Sequence, residues 1–200
     1  MENKELVVQN IRDFLSRGEG GEHWLRHVLS TFSCKRNIDV ERFLKEQAID
    51  FTKKNQSVTY TVFTSDYVDL IGYFTITIKP ISVNGEAFSN TVKRKIARVS
   101  EQNPENGNYS LSAYLVAQLG KNFNNDVNEL ITGEQLLGLA IEKIEEMQYM
   151  AGGMVVFLEA ENEEKLLEFY EANRFKRFDT KETQSGTKGI HTLVQLLKVL

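Results

Sequence analysis

The chain has 200 residues, 41% of them hydrophobic, enough to bury one sizeable core. Its 24 basic and 28 acidic residues leave a net charge of −4, which excludes a polycation built to wrap nucleic acid. No apolar run reaches the roughly 20 residues of a membrane helix, so no membrane partner is expected. The start, MENKELVVQN, lacks the basic flank and apolar stretch of a secretion signal. A single cysteine, Cys34, cannot form an internal disulfide. These features point to a cytoplasmic location.

In chain order, Val7, Ile11, Phe14 and Leu15 stand at helical spacing over residues 4–17, and SRGEGG ends that segment. HWLRHVLSTFSC reads as a strand. DVERFLKEQAIDFTKKN reads as a helix with Asp39 as N-cap and a stripe through Val40, Phe43, Leu44, Ala48 and Phe51. SVTYTVFTSD and LIGYFTITIKPISV form a hairpin turning near Ser65–Asp69. Residues 84–108, polar and rich in Asn and Gly, leave the sheet around a basic knot, KRKIAR. YSLSAYLVAQLG is another strand, and KNFNNDVNE a loop.

Thr132 and Gln135 then form a capping box, which opens a helix carrying Leu136, Leu137, Ala140, Ile141, Ile144 and Met147 on one stripe. Gly152 and Gly153 turn the chain into MVVFLEA, an apolar run suited to a central strand. A short helix ending in FYEANRF follows, then two strands around TQSGTKG. The layout is α/β in three layers, around a mixed sheet of six or seven strands.

A strand, a loop and a helix whose first turn holds Gly133 make a physically sound anion site. First-turn amides lack intrahelical acceptors, the helix dipole favours negative charge, and glycine admits close approach. The same glycine also serves as an ordinary helix start.

The run from SAYLVAQLGKN through ITGEQLLGLAIEKI to MVVFLEAENEEKLLEFYEANRFKRF resembles the GNAT acyltransferases, over most of residues 34–200. FYEANRF is similar to that family's F-Y-E-x-x-G-F. The resemblance implies a mostly antiparallel sheet and an acetyltransferase-like domain over residues 22–200; residues 1–21 lie outside it and are expected to be an N-terminal helical extension. It also implies acetyl-CoA as co-substrate. The family's phosphate loop, Q/R-x-x-G-x-G/A, falls on Asn128, Glu129, Leu130, Ile131, Thr132 and Gly133. Asn128 stands for Gln/Arg and Ile131 for the first glycine. Arg174 stands where the family has glycine at the helix end, so Asn173 is expected to take the left-handed turn there. Asn162 matches, one residue displaced, an asparagine often seen before this helix. Val116 and Ala117 are expected to orient pantetheine and the thioester carbonyl through their amides.

The resemblance places Tyr170 beside the CoA sulfur. A phenol with pKa about 10 is protonated at neutral pH and can donate to a thiolate with pKa near 8.5, a contribution of order 10² to 10⁴ in rate. The acceptor amine must also be neutral. A lysine amine pays roughly 4.6 kcal/mol for this at pH 7, an α-amino group only about 1 kcal/mol. Glu159, or Glu161 beside it, is the candidate base.

His23 and His27 lack the glutamate and third ligand of a zinc motif, so no metal is expected. The expected function is direct acetyl transfer from acetyl-CoA to a primary amine, by a monomer or homodimer. FSCKRNIDVERFLKEQA and the basic run Lys93, Arg94, Lys95 and Arg98 are similar to a toxin subgroup that acetylates aminoacyl-tRNA, which makes tRNA an alternative partner. A non-catalytic acyl-CoA-binding or interaction domain is the reading from another class.

Overall fold

The computed structural model describes residues 6–185 and 189–200. Residues 1–5, part of the expected N-terminal extension, and 186–188, within the TQSGTKG turn, lie outside the described residues. The chain divides into two compact units. One takes in the chain up to Thr77 together with Ala117–Lys143, the other Ile78–Val116 and Ile144–Leu200.

In the first unit, β1 (Leu6–Asn10) runs antiparallel to β2 (Val58–Thr64), which pairs antiparallel with the start of β3 (Leu70–Asn84). The β2–β3 turn falls at residues 65–69, as expected. The helix expected over 4–17 is instead this strand followed by the short helix α1 (Ile11–Leu15). Asn10 marks the junction: its side chain accepts from Arg12 N–H at 3.0 Å, an N-cap that halts the strand and starts the helix. Leu6, Val7 and Val8 favour the extended form because they lie against Thr64, Phe63 and Val62.

The strand expected at HWLRHVLSTFSC is also overturned. It lies largely in helix α2 (Gly18–Ser30), where Leu25 and Leu29, four apart, are both buried. Gly18, at φ 74°, begins that helix, so only Ser16 and Arg17 of SRGEGG separate α1 from α2 and the rest is helical. The next helix is correct in place but not in detail. Asn37, not Asp39, is the cap, accepting from Asp39 and Val40 N–H at 3.1 and 3.3 Å. From there α3 (Ile38–Arg42) passes through a π-helical turn (Phe43–Gln47) into α4 (Ala48–Lys53). Leu25, Leu29, Phe32, Leu44, Ala48 and Tyr73 form the centre of this unit's core. The fully buried Tyr73 donates its hydroxyl to Val40 O at 2.6 Å, which satisfies the polar tip of an otherwise apolar contact.

The second unit contains the excursion after β3, with α5 (Asn90–Ile96) capped by Ser89, and the start of β4 (Asn108–Lys121). After α6 (Gly133–Ala151) come β5 (Val155–Glu161), α7 (Glu164–Ala172) and the antiparallel hairpin of β6 (Lys176–Ser185) and β7 (Gly189–Val199). β5 pairs in parallel with β4 on one side and antiparallel with β7 on the other, the central place its apolar run predicts. The sheet has seven strands in the order β1-β2-β3-β4-β5-β7-β6, mixed and mostly antiparallel. Among the described residues no helix is long and apolar enough to cross a membrane.

Two backbone positions carry unusual constraints. Gly153 (φ 115°) packs so closely on Tyr114 that a Cβ would lie 2.6 Å from the ring, while the Tyr114 hydroxyl donates to Gly152 O at 2.5 Å. At the end of α7, Arg174 itself takes the left-handed conformation (φ 69°), and Asn173 stays at φ −87°. The expectation for Asn173 is thus corrected. Its side chain is engaged elsewhere, donating to Phe169 O at 2.8 Å, while Phe175 N–H closes back onto Tyr170 O at 3.1 Å. That last bond is the wide closure of a Schellman turn, which forces the residue before it to be left-handed.

Gly153→Ala is expected to lower stability by about 2 kcal/mol or more in urea unfolding, through a ring clash added to an unfavourable φ. Arg174→Gly is expected to raise stability by about 1 kcal/mol in the same measurement, because the left-handed penalty disappears.

Candidate active site

The residues singled out for cofactor chemistry are distributed over both units. Ala117 and Asn128–Gly133 belong to the first, and Val116, Glu159, Asn162 and Tyr170 to the second.

In the first unit the loop after β4 folds as a 3₁₀ segment, Asn124–Leu130, in which Asn125 (φ 49°) and Asp126 (φ 57°) are both left-handed. Asn and Asp tolerate this region better than other residues with a Cβ. Ile131, at the position of the family's first glycine, is extended and 2% exposed. Its side chain serves as an apolar anchor under the loop. The capping box forms as expected: Thr132 N–H donates to Gln135 Oε1 at 2.8 Å, and Gln135 N–H to Thr132 Oγ1 at 3.1 Å. This defines the start of α6 at Gly133. It also occupies the Thr132 amide, one of the donors expected for a phosphate. Glu129 and Leu130 are exposed and Asn128 half-buried.

Two cations that sequence reasoning did not single out stand at the same loop. Lys121 ends β4, and the Arg36 guanidinium lies over the Phe123 ring, 5.2 Å from its centroid. Burial, and then the charge of Arg36, hold the Lys121 ammonium below its ordinary range, while Glu129 acts in the opposite direction. The signal in the sequence was a basic residue directly before the loop; its partner, 85 positions earlier, is reached only through the fold.

In the second unit, the register between β4 and β5 comprises two pairs, Tyr114↔Val156 and Leu115↔Phe157. β5 stays registered with β7 through Glu161. Val116 is therefore the first β4 residue past the last registered pair, where parallel strands that part leave backbone donors and acceptors for an extended amide chain. Asn162 is exposed between β5 and α7.

Tyr170 lies on the last turn of α7, its ring between Phe169 (centroids 5.1 Å apart) and Phe175 (6.0 Å). Leu167, three residues earlier, fixes the helix to the core at 0% exposure. The Tyr170 hydroxyl makes no hydrogen bond among the described residues. Burial pushes its pKa up to about 12, so the phenol stays protonated through the neutral range.

Both carboxylates at the end of β5 are engaged. Glu159 accepts from Lys181 Nζ at 3.0 and 3.1 Å and from Gln195 Nε2 at 2.8 Å. Glu161 Oε1 lies 3.4 Å from His191 Nε2, and the other ring nitrogen of that histidine is 3.0 Å from Gly189 O. Acting as a base would require Glu159 to leave a lysine ion pair. His23 and His27 are exposed on α2, and among the described residues no group of three potential metal ligands includes them.

No family model and no curated protein matches the sequence. Solved structures do match. A Tyr-to-Phe mutant of KacT is 17% identical, with a TM-score of 0.65 over 98% of this chain and 95% of that one. AtaT complexed with acetyl-methionyl-tRNAfMet is 15% identical, with a TM-score of 0.64 over 95% and 94%. A Tyr-to-Phe mutant of the toxin AtaT, bound to the C-terminus of the antitoxin AtaR and acetyl-CoA, is 13% identical, with a TM-score of 0.57 over 97% and 92%. The chain has the α/β fold of the GNAT-type toxins AtaT and KacT.

Proposed function

We propose that this chain is an acetyl-CoA-dependent N-acetyltransferase whose acceptor is the α-amino group of an aminoacyl-tRNA. The observation that carries the reading is the fold shared over nearly the whole chain with AtaT, solved with acetyl-methionyl-tRNAfMet. Two features of this chain support the narrower acceptor over a general primary amine.

The first is the engagement of the candidate bases. With Glu159 held by Lys181 and Glu161 facing His191, an acceptor that needs little help losing its proton suits the site best. An α-amino group near pKa 7.8 meets that requirement, and a lysine near 10.4 does not. The second is α5, which buries only Ile96 and presents Lys93, Arg94 and Lys95, with Arg98 just beyond. None of the four forms an ion pair among the described residues. Four uncompensated cations on an acidic protein form a local phosphate-seeking surface.

In the proposed reaction the neutral amine attacks the thioester carbonyl, the C–S bond breaks, and a proton must reach the departing sulfur. Tyr170 supplies it. Complete transfer from a phenol at about 12 to a thiolate near 8.5 is uphill by roughly 5 kcal/mol. The phenol therefore acts by donating a hydrogen bond as charge grows on sulfur, and the proton released by the acceptor nitrogen restores the balance. The resemblance makes the amides of Val116 and Ala117 the candidates for the thioester end of acetyl-CoA, the Asn128–Gly133 loop the candidate for its phosphates, and Asn162 a further candidate contact.

Tyr170→Phe is expected to lower acetyl transfer at least tenfold in a steady-state assay, with CoA affinity changed less than threefold; an unchanged rate removes Tyr170 from the chemistry. Because its raised pKa keeps Tyr170 protonated, kcat/KM is expected to rise with pH through the acceptor's ionisation and to show no falling limb below about pH 11. Neutralising Lys93, Arg94 and Lys95 together is expected to abolish a salt-dependent tRNA mobility shift; absence of any shift with the wild-type protein at low salt discards the tRNA acceptor.

A further inference from the structure

The first turn of α6 retains few of its own donors for a phosphate. The amides of Thr132 and Gln135 are consumed by their reciprocal capping bonds, and Leu136 N–H donates to Thr132 O at 3.1 Å. Gly133 and Glu134 remain, and Glu134 carries a carboxylate of the wrong sign.

Positive charge reaches the same loop from another part of the first unit. Ser33 N–H donates to Asn122 Oδ1 at 2.9 Å, Phe123 N–H to Ser33 O at 2.7 Å, and Asn124 Nδ2 to Thr31 O at 3.1 Å. Asn122 is itself 3% exposed and donates to Leu70 O at 2.7 Å, so the attachment is a buried one. These bonds fasten the segment leading to Arg36 onto residues 122–124, and the guanidinium packs over Phe123. Lys121, half-buried, ends the strand two residues earlier. Neither cation forms an ion pair among the described residues. The charge of Arg36 acts on the half-buried Lys121, and an anion relieves that repulsion. Glu129, on the loop, is the carboxylate whose charge acts on Lys121.

We propose that Arg36 and Lys121 form the phosphate grip of this chain, holding a CoA-type nucleotide by side-chain cations where the capping box has already taken the Thr132 amide. The inference rests on the acetyl-CoA reading. The chemistry recognised is a phosphate ester, and CoA offers two, the diphosphate and the 3′-phosphate. Glu129 serves as counter-charge until phosphate displaces it.

The test is isothermal titration with CoA and dephospho-CoA, at low and moderate salt, on the wild-type protein and on Arg36→Gln, Lys121→Gln, the double variant and Glu129→Gln. Thermal unfolding of each variant checks its fold. Each cation variant is expected to weaken CoA binding about tenfold and to flatten its salt dependence, and Glu129→Gln to tighten it a few-fold. Loss for CoA but not for dephospho-CoA assigns the grip to the 3′-phosphate, and equal loss assigns it to the diphosphate; both support the proposal. A folded double variant that binds CoA within twofold of wild type overturns the grip and leaves the acetyl-CoA reading standing. A wild-type protein that binds no CoA overturns both. Should Lys121→Gln fail to fold, Arg36→Gln, an exposed position, decides alone by the same criteria.

Discussion

The reciprocal bonds between Thr132 and Gln135 set how many amides the start of α6 leaves open. They determine the residue at which α6 begins, and so how much chain must be accommodated between β4 and the helix. That chain is compressed into a 3₁₀ segment with two consecutive left-handed residues, and Ile131 ties its end to the core. A cap of this kind contributes about 1 kcal/mol and reduces fraying. The same bonds take amide hydrogens out of service. A helix start well satisfied by its own side chains is a weaker anion site than one left open, and cations outside the helix become the natural carriers of that role.

Tyr170 obeys a different constraint. A phenol packed between Phe169 and Phe175 is desolvated, which guarantees a proton at every physiological pH and also makes that proton hard to give up completely. Such a group works best when its partner needs a hydrogen bond and the acceptor nitrogen supplies the net proton. In the proposed reaction an α-amino group, which gives up its proton at pH 7 for only about 1 kcal/mol, suits such a donor, whereas a lysine would demand a base that Glu159, bonded to Lys181 and Gln195, is not free to be.

Much of this was legible in the sequence where periodicity and capping agreed. The turn between β2 and β3, the apolar run of β5, the Thr132 cap and the phenol on a short helix after β5 all follow from local chemistry. Errors arose where two elements shared one apparent period. Val7, Ile11 and Phe14 mimic a helical stripe, yet Asn10 divides them into a strand and a helix. Leu25 and Leu29 are a genuine helical pair, hidden by β-favouring neighbours and by glycines that look like terminators. Arg36 was invisible for another reason: its place against Phe123 depends on side-chain bonds spanning 89 and 93 residues, which no local pattern encodes.

Two departures from the family pattern show what this fold requires of its residues. Ile131 and Arg174 both stand where glycine is expected, and the backbone resolves them in opposite ways. At Ile131 the chain becomes extended and buries the side chain, so the substitution gains apolar contact and needs no left-handed turn. At Arg174 the chain keeps the left-handed turn and tolerates the strain, because the bonds from Asn173 and Phe175 back to α7 leave no alternative path. The turn after α7 is therefore the more rigid requirement, and the reason is its position. Tyr170 accepts the closing bond of that turn through its own carbonyl, so relaxing Arg174 would release the residue that presents the phenol. Strain at one exposed arginine is the cost of holding the Tyr170 segment still.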